Sequence, residues 1–434
     1  MNFFAQTDEM NYRRSSLSMV LIESESFPNK DAVMKSWNSY PFPDKYNEHN
    51  IETKSFSIDA IELTDKDLLD AGYLQDTLNL DGMPENLLKN VKLRPIRYLN
   101  DNKTLALFLP TENQEYQIKI GKVIKEKGLA KQLVSTWFNR SSDGKFDMSI
   151  IQERGFYNAS EMEATIASGQ AKGLASLGDA GEELIKNTFI TFTKLNFIKN
   201  EPAAAILRDA AKIKIAKELA GKPQILIDKA LVQVDKLYEK TKEGYSLFST
   251  TWLYSLAWND SIANIFYSEI WGNSEAFDKT GIFNLELVGA QKNRSLVTFK
   301  IGETRTQEQI IDLALVRNID NAFAKLQKKN DVFKPAIPVS SANPIMAKIG
   351  LKEGISPGDK FEVLEMMWDE KEGKTTWKNV GSCAVDKKAP IWDNRYSAGE
   401  ESEQQKDKEG NSVNSTTFKG SKKIQVGMLL KQLK

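Results

Sequence analysis

The sequence predicts an α+β protein built from an N-terminal α+β unit, a middle open sheet with packed helices, and a small C-terminal antiparallel β-barrel or sandwich. Three observations lead to this prediction. The chain has 434 residues, which is more than a single hydrophobic core usually organises. Helical and strand-like apolar patterns alternate as far as residue 330, and only strand-like patterns follow. Stretches rich in small residues or proline separate the blocks.

These stretches place the domain boundaries. Four glycines interrupt residues 168–181, and prolines mark a linker at residues 333–344. We therefore predict domains at residues 1–165, 166–334 and 335–434. Residues 400–415 carry almost no apolar side chains and are predicted to form a mobile polar loop.

In the first predicted domain, residues 17–22 indicate a strand and residues 40–44 a turn. Residues 112–140 have helical spacing, with an apolar stripe beside several lysines, although Gly121 and Gly128 weaken the helix. Such lysines could touch lipid headgroups or acidic partners. A helix that packs its stripe inward and leaves its lysines in water is the favoured alternative.

The middle domain begins with a predicted strand at residues 187–200. Its apolar side chains occupy both faces, which is typical of a central strand; Phe189, Leu195 and Phe197 lie on one face, and Ile190 and Phe192 on the other. Two helices follow, from Pro202 to Gly221 and from Pro223 to Gly244, and they form a predicted αα-hairpin.

Residues 245–258 again predict a strand, and residues 259–261 can cap a helix that runs to Trp271. The aromatic side chains of residues 245–271 are expected to form a core, with an exposed ligand groove as the alternative. A β-hairpin is predicted from residues 282–289 and 295–301 around a turn at 291–294. Thr306 and Gln309 have the spacing of a capping box before a long helix that ends near residue 329.

The last domain is predicted to be entirely β. Its strands are expected at residues 345–349, 360–368 and 375–385, and the closing strands at residues 418–430. Asp359, Asp369, Glu370 and Glu372 lack the spacing of a calcium loop, so solvated turn charges are the favoured interpretation.

Composition restricts the classes of function. Lys+Arg and Asp+Glu both total 59, so no net charge attracts nucleic acid. No apolar run approaches the roughly 20 residues of a membrane-spanning helix, which leaves peripheral membrane contact open. Cys383 is the only cysteine and His49 the only histidine. The sequence therefore predicts no catalytic, cofactor-binding or metal-binding residues and no cofactor.

The two residues with reactive side chains have modest expected roles. His49 is expected on the surface, with no acid–base role, and the alternative is a pairing with Ser15, Ser16 or another hydroxyl. Cys383 lies on a predicted strand and is expected to point into the core as a small apolar side chain.

The opening residues bear on localisation. Met1-Asn2-Phe3-Phe4-Ala5-Gln6 resembles the end of a secretory signal, although the basic and apolar regions that precede such an end are missing. A frayed cytoplasmic N-terminus is the alternative.

Several longer stretches resemble uncharacterised exported proteins of Bacteroidota. They are Tyr12-Arg13-Arg14-Ser15-Ser16-Leu17, Pro43-Asp44-Lys45-Tyr46-Asn47, Trp258-Asn259-Asp260-Ser261-Ile262-Ala263 and Ile391-Trp392-Asp393-Asn394-Arg395-Tyr396. Gly350-Leu351-Lys352-Glu353-Gly354 and Gly358-Asp359-Lys360-Phe361-Glu362-Val363 are similar to small β-domains of bacterial envelope assembly proteins. The resemblance implies export to the periplasm or outer membrane, and O-glycosylation at Asp76-Thr77-Leu78 and Asp260-Ser261-Ile262. At the second of these sites, a helix cap formed by Asp260 and Ser261 is the favoured alternative.

From these observations we expect a non-enzymatic cell-envelope scaffold or binding protein with a protein partner. The alternative is a hydrolase that uses carboxylates on an envelope polymer, since that chemistry needs neither histidine nor cysteine. Two close carboxylates with opposed pKa shifts in one pocket would favour the hydrolase.

Overall fold

The computed structural model describes residues 15–71, 110–158, 184–296, 306–369, 374–395 and 412–433, together with Lys406 and Gly410. The strands among them are β1 Ser16–Glu23, β2 Asn47–Glu48, β3 Ser55–Ser57, β4 Thr188–Lys199, β5 Tyr245–Leu256, β6 Leu285–Leu296, β7 Ala336–Ala342, β8 Ile345–Ala347, β9 Lys360–Asp369, β10 Lys374–Val385, β11 Thr416–Gly420 and β12 Leu429–Gln432.

The helices among the same residues alternate with the first six strands. They are α1 Lys30–Asn38, α2 Asp65–Asp70, α3 Glu112–Glu126, α4 Leu129–Trp137, α5 Ser149–Asn158, α6 Asn200–Glu218, α7 Gln224–Thr241, α8 Asp260–Ile265, α9 Ser274–Lys279 and α10 Gln307–Lys329. A π-helical turn follows α8 at Phe266–Ile270, and short 3-10 turns lie at Asp331–Phe333 and Leu351–Glu353.

The first six strands form one open mixed sheet. Its order is β2-β1-β4-β5-β6, and β3 also pairs with β1. Strand β1 is parallel to β2, β3 and β4, whereas β5 is antiparallel to both β4 and β6. The predicted central strand is confirmed as β4, since Phe189 and Leu195 pack on one side of the sheet and Ile190 and Phe192 on the other.

Helices cover both faces of this sheet. Helices α1 and α10 bury one apolar cluster against it, and α3 and α4 bury a second cluster on the opposite face. Gly128, at a φ of 58°, separates α3 from α4, whereas Gly121 lies within α3. The capping box predicted at Thr306 and Gln309 is present at the start of α10.

The C-terminal strands close into a barrel. Its order is β10-β11-β8-β7-β12-β9, and every pair is antiparallel. Ring closure gives every strand of the barrel two paired neighbours. The predicted α+β class is thus confirmed, with an open mixed sheet followed by a closed barrel.

The β-hairpin predicted around residues 291–294 is wrong, because β6 runs through that turn without a break and pairs with β5. One of the polar side chains that suggested a turn, Asn293, instead bonds to α10. Asn293 donates through Nδ2 to the Asn318 carbonyl oxygen at 2.9 Å and accepts from Lys325 Nζ at 2.6 Å. A strand that carries a buried, hydrogen-bonded asparagine therefore has the same polar composition as a turn.

The linker predicted at residues 333–344 is also wrong in part, because it contains β7. Ile337 and Val339 alternate into the barrel, and the neighbouring prolines concealed this alternation.

The domain boundary predicted near residue 166 stays a prediction, since residues 159–183 lie outside the described residues. Nevertheless, β1 from the first predicted domain and β4 from the second pair in one sheet over seven residues, from Ser16↔Thr188 to Ile22↔Lys194. Most of the predicted loop at 400–415 also lies outside the described residues.

Candidate functional site

His49 is buried, with no exposed surface, so the expected surface position is wrong. Its backbone nitrogen donates to the Leu17 carbonyl oxygen at 2.9 Å, which fixes it beside β1. Its ring Nε2 lies 2.8 Å from the Leu133 carbonyl oxygen, and its Nδ1 lies 2.9 Å from an Arg154 guanidinium nitrogen. The ring also packs on Trp137, with 4.9 Å between centroids.

These contacts determine the tautomer of His49. A carbonyl oxygen can only accept a hydrogen bond and a guanidinium can only donate one, so Nε2 carries the proton and Nδ1 is the acceptor. Burial, and next the Arg154 charge, lower the pKa of His49 to about 3. Both ring nitrogens are therefore engaged, and the imidazole is neutral at physiological pH.

The serine pairing considered for His49 does not form through its ring. Ser16 Oγ accepts from Arg154 at 3.0 Å, and Ser18 Oγ donates to the His49 backbone oxygen. The guanidinium also donates to the Glu48 carbonyl oxygen and lies 4.6 Å over the Trp137 ring. This cluster joins α4, α5 and the sheet, and it offers no activated nucleophile.

Cys383 points into the barrel core as predicted. Burial raises the pKa of its thiol to about 12, so it stays protonated and unreactive. Asp359 accepts from the Ser356 backbone nitrogen within its own turn. No group of three or more His, Cys, Asp or Glu side chains within the described ranges is placed to hold a metal ion.

The junction between the sheet and the barrel holds a cluster of ionisable side chains. It is formed by the segment after α1, by α10, and by the 3-10 turn at Leu351–Glu353. Three of the stretches quoted for their resemblance meet here, those around Asp44, Glu353 and Asn394. Sequence spacing could not show this convergence, because the stretch around Asp44 lies about 300 residues before the other two.

Hydrogen bonds hold this cluster in place. Tyr40 donates to Asp320 at 2.7 Å, and Asp320 lies 3.7 Å from Lys352 Nζ. Glu353 accepts from the Gly350 backbone nitrogen at 2.8 Å and from Asn394 at 2.9 Å. The barrel is therefore tied to α10 by charged and polar contacts.

The pKa shifts of three carboxyl groups in this cluster differ in sign. Burial raises the pKa of Asp320 and of Glu353 despite the neighbouring lysines. Burial would also raise the pKa of Asp44, but Lys45, 2.6 Å away, lowers it overall. The cavity lined by this cluster has about 20 Å³ of space for water, which is room for roughly one molecule.

Helices α6 and α7 form the predicted αα-hairpin, inserted between two adjacent antiparallel strands. The register of β4 and β5 reaches Lys199↔Tyr245, and the Asn200 backbone nitrogen donates to the Gly244 carbonyl oxygen at 3.1 Å. The two helices contact each other through Lys212 and Asp235, at 2.6 Å, and through Arg208 stacked on Tyr238. Sequence reasoning identified this hairpin but not its exposed surface.

That surface is unusually apolar. Helix α7 buries no residue, and α6 buries only Asn200 and Ala204. Ile206 and Leu207 are each 70% exposed, and Ile213 is 59% exposed. Four further large aliphatic side chains of the hairpin are exposed: Ile225, Leu226, Val232 and Leu237. The seven-residue spacings 206–213 and 225–232 were the sequence signal that could have revealed it.

The aromatic side chains of residues 245–271 mostly form a core, as favoured. Trp252, Tyr254, Trp258 and Phe266 are buried. The apolar stripe of α3 and α4 also packs inward, through residues such as Ile120 and Leu133. Neither feature supplies an exposed groove.

No protein-family model matches the chain, and no curated protein was found to be similar to it. Within the described residues, no helix is sufficiently long and apolar to cross a bilayer.

Proposed function

We propose that the chain is a non-enzymatic binding or scaffold protein of the cell envelope, with the α6–α7 hairpin as its docking element. The observation that carries the proposal is the group of exposed aliphatic side chains on helices that add almost nothing to a core. Contiguous exposed apolar surface of this kind marks interaction sites.

The energetics support docking. Full burial of one Leu, Ile or Val side chain contributes roughly 1.5–3 kcal/mol. Ile206, Leu207 and Ile213 lie within two turns of one helix, so one partner could bury all three. That gain is available only in a complex, because the chain itself leaves these side chains in water.

The envelope location rests on the resemblance to exported proteins of Bacteroidota. Intact-mass measurement of protein from the native host addresses export and glycosylation together. A mass that includes sugar supports export, and an unprocessed, unmodified mass with the protein in the cytoplasm contradicts it.

A second candidate function, a carboxylate-dependent hydrolase, is favoured by one observation. Asp44 and Asp320 line the same cavity and have pKa shifts of opposite sign. The small cavity counts against it, since a polymer cannot enter a space for one water molecule. Hydrolysis of envelope polysaccharide that is lost in both Asp44→Asn and Asp320→Asn would establish this function.

Excision of the hairpin tests the docking proposal. Residues 201–243 are replaced by Asn-Gly, a two-residue turn suited to adjacent antiparallel strands. Tagged protein is crosslinked in the native host and purified from membranes. We expect partners to co-purify with the full chain and with Val426→Glu, an exposed aliphatic control on the barrel, but not with the excised chain.

Two results would contradict docking through the hairpin. One is recovery of the same partners with the excised chain. The other is full-length protein that is free in the cytoplasm and co-purifies with nothing.

A further inference from the structure

Helix α6 carries apolar side chains on two opposite sides. The contacts of Arg208 and Lys212 with α7 define its inner side. The outward side bears a stripe at spacings of 4, 3 and 4, and each member is exposed: Ile206, Ala210, Ile213 and Lys217. The two large aliphatic members of this stripe, Ile206 and Ile213, are exposed in the single chain, and grouped exposed apolar side chains mark interaction sites. A second helix packed along the stripe would cover both.

We propose that this second helix is α6 of another copy of the chain, packed antiparallel across a two-fold axis. The proposal rests on the docking role of the hairpin and names one of its partners. In this pairing, Ile206 lies opposite Lys217 of the second copy, and Ala210 lies opposite Ile213. Each large aliphatic residue thus meets a small residue or the flexible stem of a lysine.

The flanks of the stripe fit the same pairing. Leu207 and Lys214 are seven residues apart and share one flank, while Asp209 and Ala216 share the other. In an antiparallel pair related by a two-fold axis, each flank of α6 packs against the same flank of the second copy, which runs in the opposite direction. Leu207 therefore faces Lys214 of the second copy, and Asp209 faces Ala216 of the second copy. No like charges are brought together.

A parallel pairing has none of these advantages. Ala210 would face Ala210 and leave a void, and Lys217 would face Lys217 and be repelled. Helix α7 is a poorer candidate for self-association. Its outward stripe at similar spacing contains three lysines among five residues: Ile225, Lys229, Val232, Lys236 and Lys240.

The dimer should be weak. A helix of this length spans about 28 Å, and one helix face is smaller than the roughly 800 Å² per partner of a standard interface. We therefore expect reversible association, with a dissociation constant in the micromolar range or above.

Sedimentation equilibrium of the purified full-length chain is the first test. We expect the average mass to rise with concentration from the 49.0 kDa of one chain towards twice that value. Ile206→Glu and Ile213→Glu should each remain monomeric with unchanged circular dichroism, whereas the exposed control Val426→Glu should associate like the wild type. A wild-type chain that stays monomeric at every concentration overturns the proposal.

Disulfide trapping tests the antiparallel register. Cys383 is buried, so Ala210→Cys and Ile213→Cys each supply one reactive thiol. A mixture of the two variants should form a linked pair under mild oxidation. Either variant alone should link poorly, because like positions are offset by about 4.5 Å along the helices.

Equal linkage of Ala210→Cys with itself, or no linkage in the mixture, overturns the antiparallel register. Both measurements use the purified chain alone. A monomeric chain that still captures an envelope partner through its hairpin would remove the dimer and keep the proposed docking function. A dimer that captures no other protein would keep the pairing and remove the wider scaffold role.

Discussion

Acidification should destabilise the protein through one residue, His49. It is the only histidine in the chain, and it is neutral and fully buried in the folded state. Protonation would place a second positive charge on Nδ1 beside the Arg154 guanidinium, 2.9 Å away. In the unfolded chain His49 is in water and away from Arg154, so its imidazole binds a proton at a pH where the folded imidazole stays neutral.

The magnitude follows from the two pKa values. His49 titrates near 6.5 in its ordinary state and near 3 when folded. When folding lowers the pKa of a histidine, the resulting stability is fully present at a pH above the pKa of the unfolded state. It is lost as the pH falls towards the pKa of the folded state. Between pH 7 and pH 5, this linkage removes about 2 kcal/mol from the free energy of unfolding.

Urea unfolding at pH 7 and pH 5, followed by tryptophan fluorescence, measures this loss. His49→Gln keeps an amide donor for the Leu133 carbonyl oxygen but cannot titrate. Between pH 7 and pH 5, the free energy of unfolding of this variant should therefore fall by about 2 kcal/mol less than that of the wild type. The raised pKa values of Asp320 and Glu353 act in the opposite direction, but equally in both proteins. Equal losses in wild type and variant would refute the reasoning.

Three further predictions concern stability. Asn318→Ala should lower the free energy of unfolding by about 2–3 kcal/mol in urea titrations, because its Nδ2 donates to the Leu247 carbonyl oxygen and to Ser295 inside the protein. Asp320→Asn should be no less stable than wild type at pH 8, because burial disfavours the charged carboxylate at that position. Asp320→Ala leaves the Tyr40 hydroxyl without its acceptor and should lower the free energy of unfolding by about 1–2 kcal/mol. Excision of residues 201–243 should leave the melting temperature within a few degrees in calorimetry, because the hairpin buries little; a large drop would contradict its peripheral role.

Local patterns predicted most of the elements because their signals are local. Proline and glycine marked both ends of the α6–α7 hairpin, and alternating apolar residues identified β4 and the strands of the barrel other than β7. The prediction for β6 failed because Asn293 is satisfied by Asn318, which lies 25 residues further along the chain. A polar residue in a strand is recognisable only when its partner is known.

The environment of His49 was equally hidden from the sequence. An isolated loop histidine is usually a surface residue, whereas the burial of His49 depends on Leu133 and Arg154, which lie 84 and 105 residues away. The exposed stripes of the hairpin were visible as spacing. Their exposure depends on what the rest of the fold leaves uncovered, and that requires the tertiary structure.

Photocrosslinking in the native host tests most directly whether the hairpin docks to another protein chain. A photoreactive amino acid is placed at Ile206, which is 70% exposed on α6, or at the exposed control Val426, which is 59% exposed on the barrel. We predict a discrete protein adduct, to a second copy or to another protein, from position 206 and none from position 426. No adduct at position 206, or the same adducts at both positions, would contradict docking through the hairpin.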